Sequence, residues 1–404
     1  MDRDELEALL SPRVLTAVDR EARPDTPADV LARSTALRRE GFSPLESAAI
    51  LTQAALRRRA VGKFGEFAAR MLFTRAGLEQ ATRLDVAARH AARFRDGGAE
   101  LVADLGCGIG GDALATAALG LRVLAVERDT VTAVLAQYNL APFPEATVRV
   151  EDAERVDLDG VDGVWLDPAR RTEGHADTRR VGAADYSPAL GFADAVAARL
   201  PTGVKLSPAH DRDAIPDDAE AQWVSDRGDV VELVLWRGGL QREDVRRAAL
   251  VLGPAGAAEL TAPADAEDEP VGALGDHVHE PDGAVIRARL LGDLARATGT
   301  RPVGPGIAYL TGDGPAASPF LTSFAIDAVL PFDRQRIKKE LRARGVGRLE
   351  IKKRGVDLDP ARFRKELALS GDGEAVLVVT RTADRRVALL CRRAGGARDQ
   401  GEVL

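Results

Sequence analysis

The stretch Leu101-Val102-Ala103-Asp104-Leu105-Gly106-Cys107-Gly108-Ile109-Gly110-Gly111 decides how this chain folds. Glu100–Leu105 is a short apolar run that reads as a strand. Glycines at 106, 108 and 110 follow, and Asp112–Leu119 reads as a helix. That spacing lets the backbone turn tightly and brings a ligand close to main-chain N–H groups at a helix N-terminus. A glycine triad by itself is shared with dinucleotide-binding loops.

Two acidic residues narrow the ligand. Asp104 sits at the strand end, two residues before the first glycine, where it would repel a pyrophosphate and suit a ligand carrying an amino group. The next strand, Arg122–Glu127, also ends in an acid, 19 residues after Gly108. A carboxylate there is placed to accept from both ribose hydroxyls. A third strand, Thr147–Asp152, closes with Asp152-Ala153, and Asp152 can accept from an adenine amino group. Acids at strand ends also serve as helix N-caps. Three in succession behind a glycine loop point instead to one ligand along the strand ends.

Outward from this core, Val161–Asp167 and Gly203–Ser207 read as further strands, with helices at Thr130–Leu140 and Pro188–Leu200. Strands alternating with helices imply a doubly wound parallel α/β sheet. Gln222–Ser225 and Val230–Trp236, joined by Asp226-Arg227-Gly228-Asp229, read as an antiparallel hairpin. Residues 1–95 read as helical: Thr26-Pro27 starts one helix, Ser43-Pro44-Leu45-Glu46 is a capping box, and Leu84–Phe94 is amphipathic. Residues 254–270, rich in Ala, Pro, Asp and Glu, read as a linker or surface loop. Between 271 and 325 one helix, Pro281–Thr298, lies among short strands. From Pro331 the pattern is helix (Asp333–Arg344), strand (Arg348–Lys352), helix (Asp359–Leu367) and strands Ala375–Thr380 and Arg386–Cys391.

Over about 95–240 these residues resemble the cofactor motifs of class I S-adenosylmethionine-dependent methyltransferases, which carry a Rossmann-like sheet. The resemblance implies S-adenosyl-L-methionine as cofactor. Asp104, Gly106, Gly108 and Gly110 would hold its methionine and sulfonium part, Glu127 the ribose, and Asp152 with Ala153 the adenine.

The fourth strand runs into Asp167-Pro168-Ala169-Arg170-Arg171. In amino-directed nucleic-acid methyltransferases this place holds Asp/Asn-Pro-Pro and an aromatic. A carboxylate and a carbonyl accept both hydrogens of an exocyclic amine and aim its lone pair, proline stiffens the turn, and the aromatic stacks on the base. Here Asp167 and Pro168 are present and the aromatic is not. Uridine C5 methyltransferases carry a closer pattern but need a cysteine nucleophile after the fifth strand. Lys205-Leu206-Ser207-Pro208-Ala209-His210-Asp211 has none, which argues against covalent C5 chemistry. Lys205 and Ser207 could orient substrate or move a proton. Arg170 and Arg171 suit a phosphate clamp or ordinary salt bridges, and Gln80 and Thr82 a contact folding over the cofactor.

The C-terminal part differs in charge. Of 404 residues, 45% are hydrophobic and 29% charged, as in an ordinary globular protein, and the net charge is −7. From Pro331 to Leu404 there are 19 basic and 11 acidic residues, leaving the rest of the chain acidic. Five of seven lysines fall there. This suggests a polyanionic partner, or only a solvated charged face. Lys352, Lys353 and Arg354 at a strand end are the candidates for phosphate contact. Two cysteines and five histidines, one close pair being His277-x-His279, predict no metal site. No secretory signal and no bilayer-length apolar run are evident, so a cytoplasmic location is expected.

Phe73-Thr74-Arg75, Leu78-Glu79-Gln80-Ala81-Thr82, Leu166–Arg171, Lys205–Pro208, Ala308–Gly312 and Ile351–Val356 resemble a mainly actinobacterial family. In it an N-terminal helical region and a class I methyltransferase precede ferredoxin-like and THUMP-like α+β modules. That implies an N-terminal helical region at 1–95, a methyltransferase domain at 96–245, a linker and ferredoxin-like domain at 246–328 and a THUMP-like basic domain at 329–404. THUMP domains deliver structured RNA, usually tRNA, to an attached enzyme. The expected activity is methylation of tRNA or rRNA at a base nitrogen. Two alternatives stand beside it: a small-molecule or protein methyltransferase docking through the basic module, and an inactive cofactor-sensing RNA-binding protein.

Overall fold

A computed structural model describes residues 1–21, 27–170 and 186–394. The chain divides into two compact units, one of Met1–Leu206, His210–Ala219 and Val234–Arg242, the other of Ser207–Ala209, Glu220–Leu233 and Glu243–Leu404.

The first unit opens with six helices: α1 (Arg3–Leu9), α2 (Pro12–Arg20), α3 (Pro27–Arg39), α4 (Pro44–Phe64), α5 (Arg75–Gln80) and α6 (Leu84–Asp96). The Ser43 capping box forms as expected: Glu46 N–H donates to Ser43 Oγ at 3.1 Å and Ser43 N–H to Glu46 Oε2 at 2.7 Å. The α3 helix begins at Pro27, and Thr26 lies outside the described residues.

Then β1 (Leu101–Leu105), α7 (Gly111–Ala118), β2 (Arg122–Glu127), α8 (Thr130–Leu140), β3 (Ala146–Val150), β4 (Gly163–Leu166), β5 (Ala169–Arg170), β6 (Tyr186–Ser187), α9 (Leu190–Ala197) and β7 (Thr202–Leu206) follow. The order β7-β4-β1-β2-β3 is parallel throughout, as the alternating pattern requires. Buried strands such as β4, covered on both faces, explain the unbroken apolar runs. β1 has β4 on one side and β2 on the other, with crossovers running in opposite directions, so its C-terminal end is a switch point where such sheets form a crevice. Asn139 on α8 pins the preceding helical segment to the glycine loop. Its side chain donates to Leu72 O at 3.0 Å and Ile109 O at 2.9 Å and accepts from Leu72 N–H at 2.7 Å.

In the second unit, β8 (Glu220–Asp226) turns into β9 (Asp229–Arg237) through Arg227 and Gly228 at φ 52° and 90°, the expected hairpin. β9 begins in this unit and ends in the first. β10 (Arg247–Gly253) lies parallel to β8, and β11 (Gly256–Ala262) pairs antiparallel to β10. The stretch read as a linker therefore contains a strand. Its Ala-rich sequence has little strand character of its own, and an adjacent partner supplies the hydrogen bonds.

The seven-stranded sheet has the order β13-β14-β12-β15-β18-β17-β16, from β12 (His277–Pro281), β13 (Arg301–Pro302), β14 (Leu310–Gly312), β15 (Leu321–Pro331), β16 (Val346–Lys353), β17 (Gly373–Arg381) and β18 (Arg386–Arg393). The expected single helix at 281–298 is two, α10 (Gly283–Arg287) and α11 (Leu291–Thr298), broken where Arg289 takes φ 60°. α12 (Arg334–Ala343) and α13 (Pro360–Leu367) complete the unit, each capped by an aspartate, Asp333 and Asp359. Among the described residues no helix is long and apolar enough to cross a membrane.

Candidate active site

Three glycines of the loop take φ 88°, 55° and 84° at Gly106, Gly108 and Gly110, a region that costs other residues steric strain. Gly110 is the N-cap of α7, so the loop delivers free N–H groups at a helix start. Glu127 closes over it. Its carboxylate accepts from Gly108 N–H at 3.1 Å and from Asp129 N–H at 2.9 Å. Cys107 lies buried in this loop, and burial with the nearby Asp104 and Glu127 carboxylates pushes its thiol well up, away from the nucleophilic form.

Asp104 is 3% exposed, and its Oδ2 is buried without a hydrogen-bond partner. Burial, with Asp112 and Asp167 close by, holds its carboxyl well above the usual carboxylate range, against a hydrogen bond from Ala113 and the charge of Lys205. An orphaned acceptor of this kind is a costly vacancy that an amino group would fill.

β1 and β4 are neighbours, so Asp104 and Asp167 end adjacent strands. Lys205, on β7 beside β4, reaches Asp167 Oδ2 at 2.6 Å. Its ammonium also donates to Thr82 Oγ1 at 3.0 Å, whose hydroxyl donates to Asp112 Oδ2 at 2.7 Å. Asp112 Oδ1 lies 2.9 Å from His90 Nδ1. A continuous hydrogen-bonded chain thus runs from Asp167 through Lys205, Thr82 and Asp112 to His90 across four separate stretches of sequence. Burial raises the Asp112 carboxyl, but His90, Lys205 and Thr82 outweigh it and hold Asp112 ionised below its ordinary value. His90 stacks on Trp165 of β4, ring centroids 4.1 Å apart, which fixes the far end of the chain.

Thr82 is positioned from behind. Lys63 on α4 donates to the carbonyls of Leu78, Glu79 and Ala81, each at 2.8 Å, capping the end of α5. An ammonium converges on three acceptors in a way that a planar guanidinium does not.

Asp104, Asp167 and Lys205 are therefore brought together, with Pro168 buried after Asp167 and Gly106 close enough that a Cβ there would lie 3.7 Å from Asp167 O. Asp152 stands beyond the end of β3, exposed, and caps its own turn by accepting from Glu154 N–H at 3.0 Å; Ala153 beside it is half-buried. The Arg170 backbone pairs with Tyr186, while its side chain and the whole of Arg171 lie outside the described residues. Ser207 Oγ accepts from Ala209 N–H at 3.3 Å within the second unit. There too, Lys352 contacts Glu280 at 2.6 Å and Glu350 at 3.0 Å, and Arg354 contacts Glu280 at 3.8 Å; Lys353 is exposed. Burial lowers Lys352, but the two glutamates overcome it and raise it above its ordinary value.

Asp112, His90 and Lys63 are the residues that strand-end reasoning missed. Asp112 follows Gly110-Gly111 in the first turn of a helix, where an acid ordinarily only complements the dipole. Gln80, by contrast, is exposed at the end of α5.

Residues 321–393, from the first residue of β15 to the last of β18, match the family described as THUMP domain-like, and residues 2–60 match a domain family of unknown function. Proteins from two strains of Mycobacterium tuberculosis, described as uncharacterized S-adenosylmethionine-dependent methyltransferases, are 36% identical over 337 residues, 81% of this chain and 90% of theirs. The crystal structure of a putative methyltransferase from Porphyromonas gingivalis shares the fold. It has a TM-score of 0.73 at 22% identity and covers 98% of this chain and all of that one.

Proposed function

This chain belongs to the S-adenosylmethionine-dependent methyltransferases, and from that premise we propose that its substrate is RNA, tRNA or rRNA, methylated on a base nitrogen. Support for RNA comes from the THUMP domain-like match at 321–393 and the basic charge of that end. Support for nitrogen comes from one observation above the rest: an Asp-Pro turn at the end of β4 whose carboxylate is held by Lys205 at 2.6 Å.

Bound in the crevice, the cofactor supplies a methyl group on a positively charged sulfur. In this reading Asp104 Oδ2 accepts from its amino group, the turn at Gly106 and the N–H groups after Gly108 and Gly110 bind the methionine end, Glu127 takes the ribose hydroxyls, and Asp152 with Ala153 the adenine. Asp167 accepts a hydrogen of the target amine and directs the nitrogen lone pair. Lys205 fixes the rotamer of Asp167, and Asp167 takes the proton the nitrogen releases after alkylation. Thr82 and Asp112 hold the Lys205 ammonium in place. Pro168 stiffens the turn that follows. Arg170, Arg171 and Ser207 contact substrate.

The test is mass spectrometry of nucleosides from tRNA and rRNA of cells with and without the gene. One methylated base disappearing with the gene is expected. An identical profile in both strains would sink the RNA reading.

A further inference from the structure

The sheet β15-β18-β17-β16 is packed on both faces at its centre. On one, Ile337 and Leu341 of α12 and Phe363 and Leu367 of α13 pack against Leu377 and Leu390. On the other, Val378, Val387 and Leu389 pack against Val303, Ile307 and Tyr309. Among the described residues neither face exposes an aromatic side chain for bases to stack on. The cations at the end of β16 are also largely matched, since Glu280 and Glu350 hold Lys352, and Glu280 faces Arg354.

What the two helices present to solvent is charge. From Asp333 to Arg344 there are six basic and two acidic residues. Some are neutralised locally: Arg334 and Arg362 share Glu366, and Arg344 pairs with Glu340. Arg336, Lys339 and Lys365 are exposed and have no acidic partner among the described residues. No large apolar side chain is exposed between 333 and 367 among the described residues. A protein partner would need such an apolar centre, and lysine is depleted in protein interfaces. Unmatched cations on two helices, without aromatics at the surface, suit a phosphate backbone.

We propose that the outer faces of α12 and α13 are the surface that tracks the phosphates of structured RNA, with Arg336, Lys339 and Lys365 as its contacts. This rests on the RNA reading above and adds where the backbone is gripped. Such contacts carry no sequence information, so choice of nucleotide falls to the methyltransferase unit.

The experiment uses the full chain and unfractionated bacterial tRNA, with affinity measured across a salt series. The native chain should show a steep fall of affinity with salt. The triple variant Arg336→Gln/Lys339→Gln/Lys365→Gln should flatten the log–log slope by about 2, at about 0.7–0.9 per lost contact, and weaken binding roughly tenfold or more. Neutralising Arg38 and Arg39, exposed on the N-terminal helix α3, should change neither. Unaltered slope and affinity in the triple variant would overturn the assignment of the face while leaving RNA binding standing. Equal binding of polyglutamate would overturn it in favour of an acidic protein. A native chain that binds no tRNA at any salt would remove the RNA reading itself.

Discussion

The rim of the parallel sheet and the helical face of the terminal module both depend on charge, and they use it in opposite ways. At the rim, Asp104 and His90 are buried, Asp112, Lys205 and Asp167 are partly buried, and each faces a charged or polar neighbour. On α12 and α13, Arg336, Lys339 and Lys365 stand apart in water. In a low dielectric every pairing is strong and an unpaired group is costly; in water single charges are weak and add up. One region is built for position, the other for total charge.

If that contrast holds, single substitutions should have very different effects in the two places. The largest falls on Asp167→Ala, which should cut methyl transfer into RNA by ~100-fold or more while the chain still binds its donor, measured with labelled cofactor and by calorimetry. Loss of both would mean that Asp167 holds the donor instead. Next, Asp112→Leu leaves His90, Thr82 and Lys205 without their shared acceptor and should lower stability by about 3 kcal/mol in urea unfolding. A change under about 0.5 kcal/mol would show that the network contributes little.

The third prediction uses pH. Asp104 is held above its unfolded value of about 3.9, so the native state prefers it protonated. Its contribution is fully present below that value and is lost as pH rises toward the folded-state value, at about 1.4 kcal/mol per unit. Asp104→Asn cannot ionise. It should therefore be more stable than the native chain at neutral pH, with the advantage shrinking to nothing near pH ~4. An advantage that grows on acidification would reverse the sign and refute the assignment. Smallest of all, Lys339→Gln should shift the unfolding free energy by less than about 0.5 kcal/mol, though it weakens RNA binding. A larger loss would mean that the helical face is structural.

How much could be read from residues alone follows the same divide. The inner parallel strands were visible because strands covered on both faces become apolar runs, and the edge strand β3 because its valines alternate with polar residues. Asp104, Glu127 and Asp167 could be found because strand ends are a place in the sequence as well as in space. β11 could not, because Gly256–Ala262 is a strand only by virtue of β10. The break between α10 and α11 has no glycine or proline to announce it; Arg289 alone takes the left-handed conformation. Asp112, His90 and Lys63 meet their partners across long sequence separations, which no local pattern encodes. One clue was available. Apart from the five lysines of the basic end, the chain has only Lys63 and Lys205, against arginine everywhere else. Both do what a guanidinium does poorly: one converges on three carbonyls, and the other bridges a hydroxyl and a carboxylate.

β9 starts in one unit and finishes in the other, and the chain passes between the two five times before settling into its last stretch at Glu243. A gene truncated after Leu206 would encode a first half missing 210–219 and 234–242, and the remainder would begin with orphaned pieces. Neither half can be transplanted as one contiguous cassette.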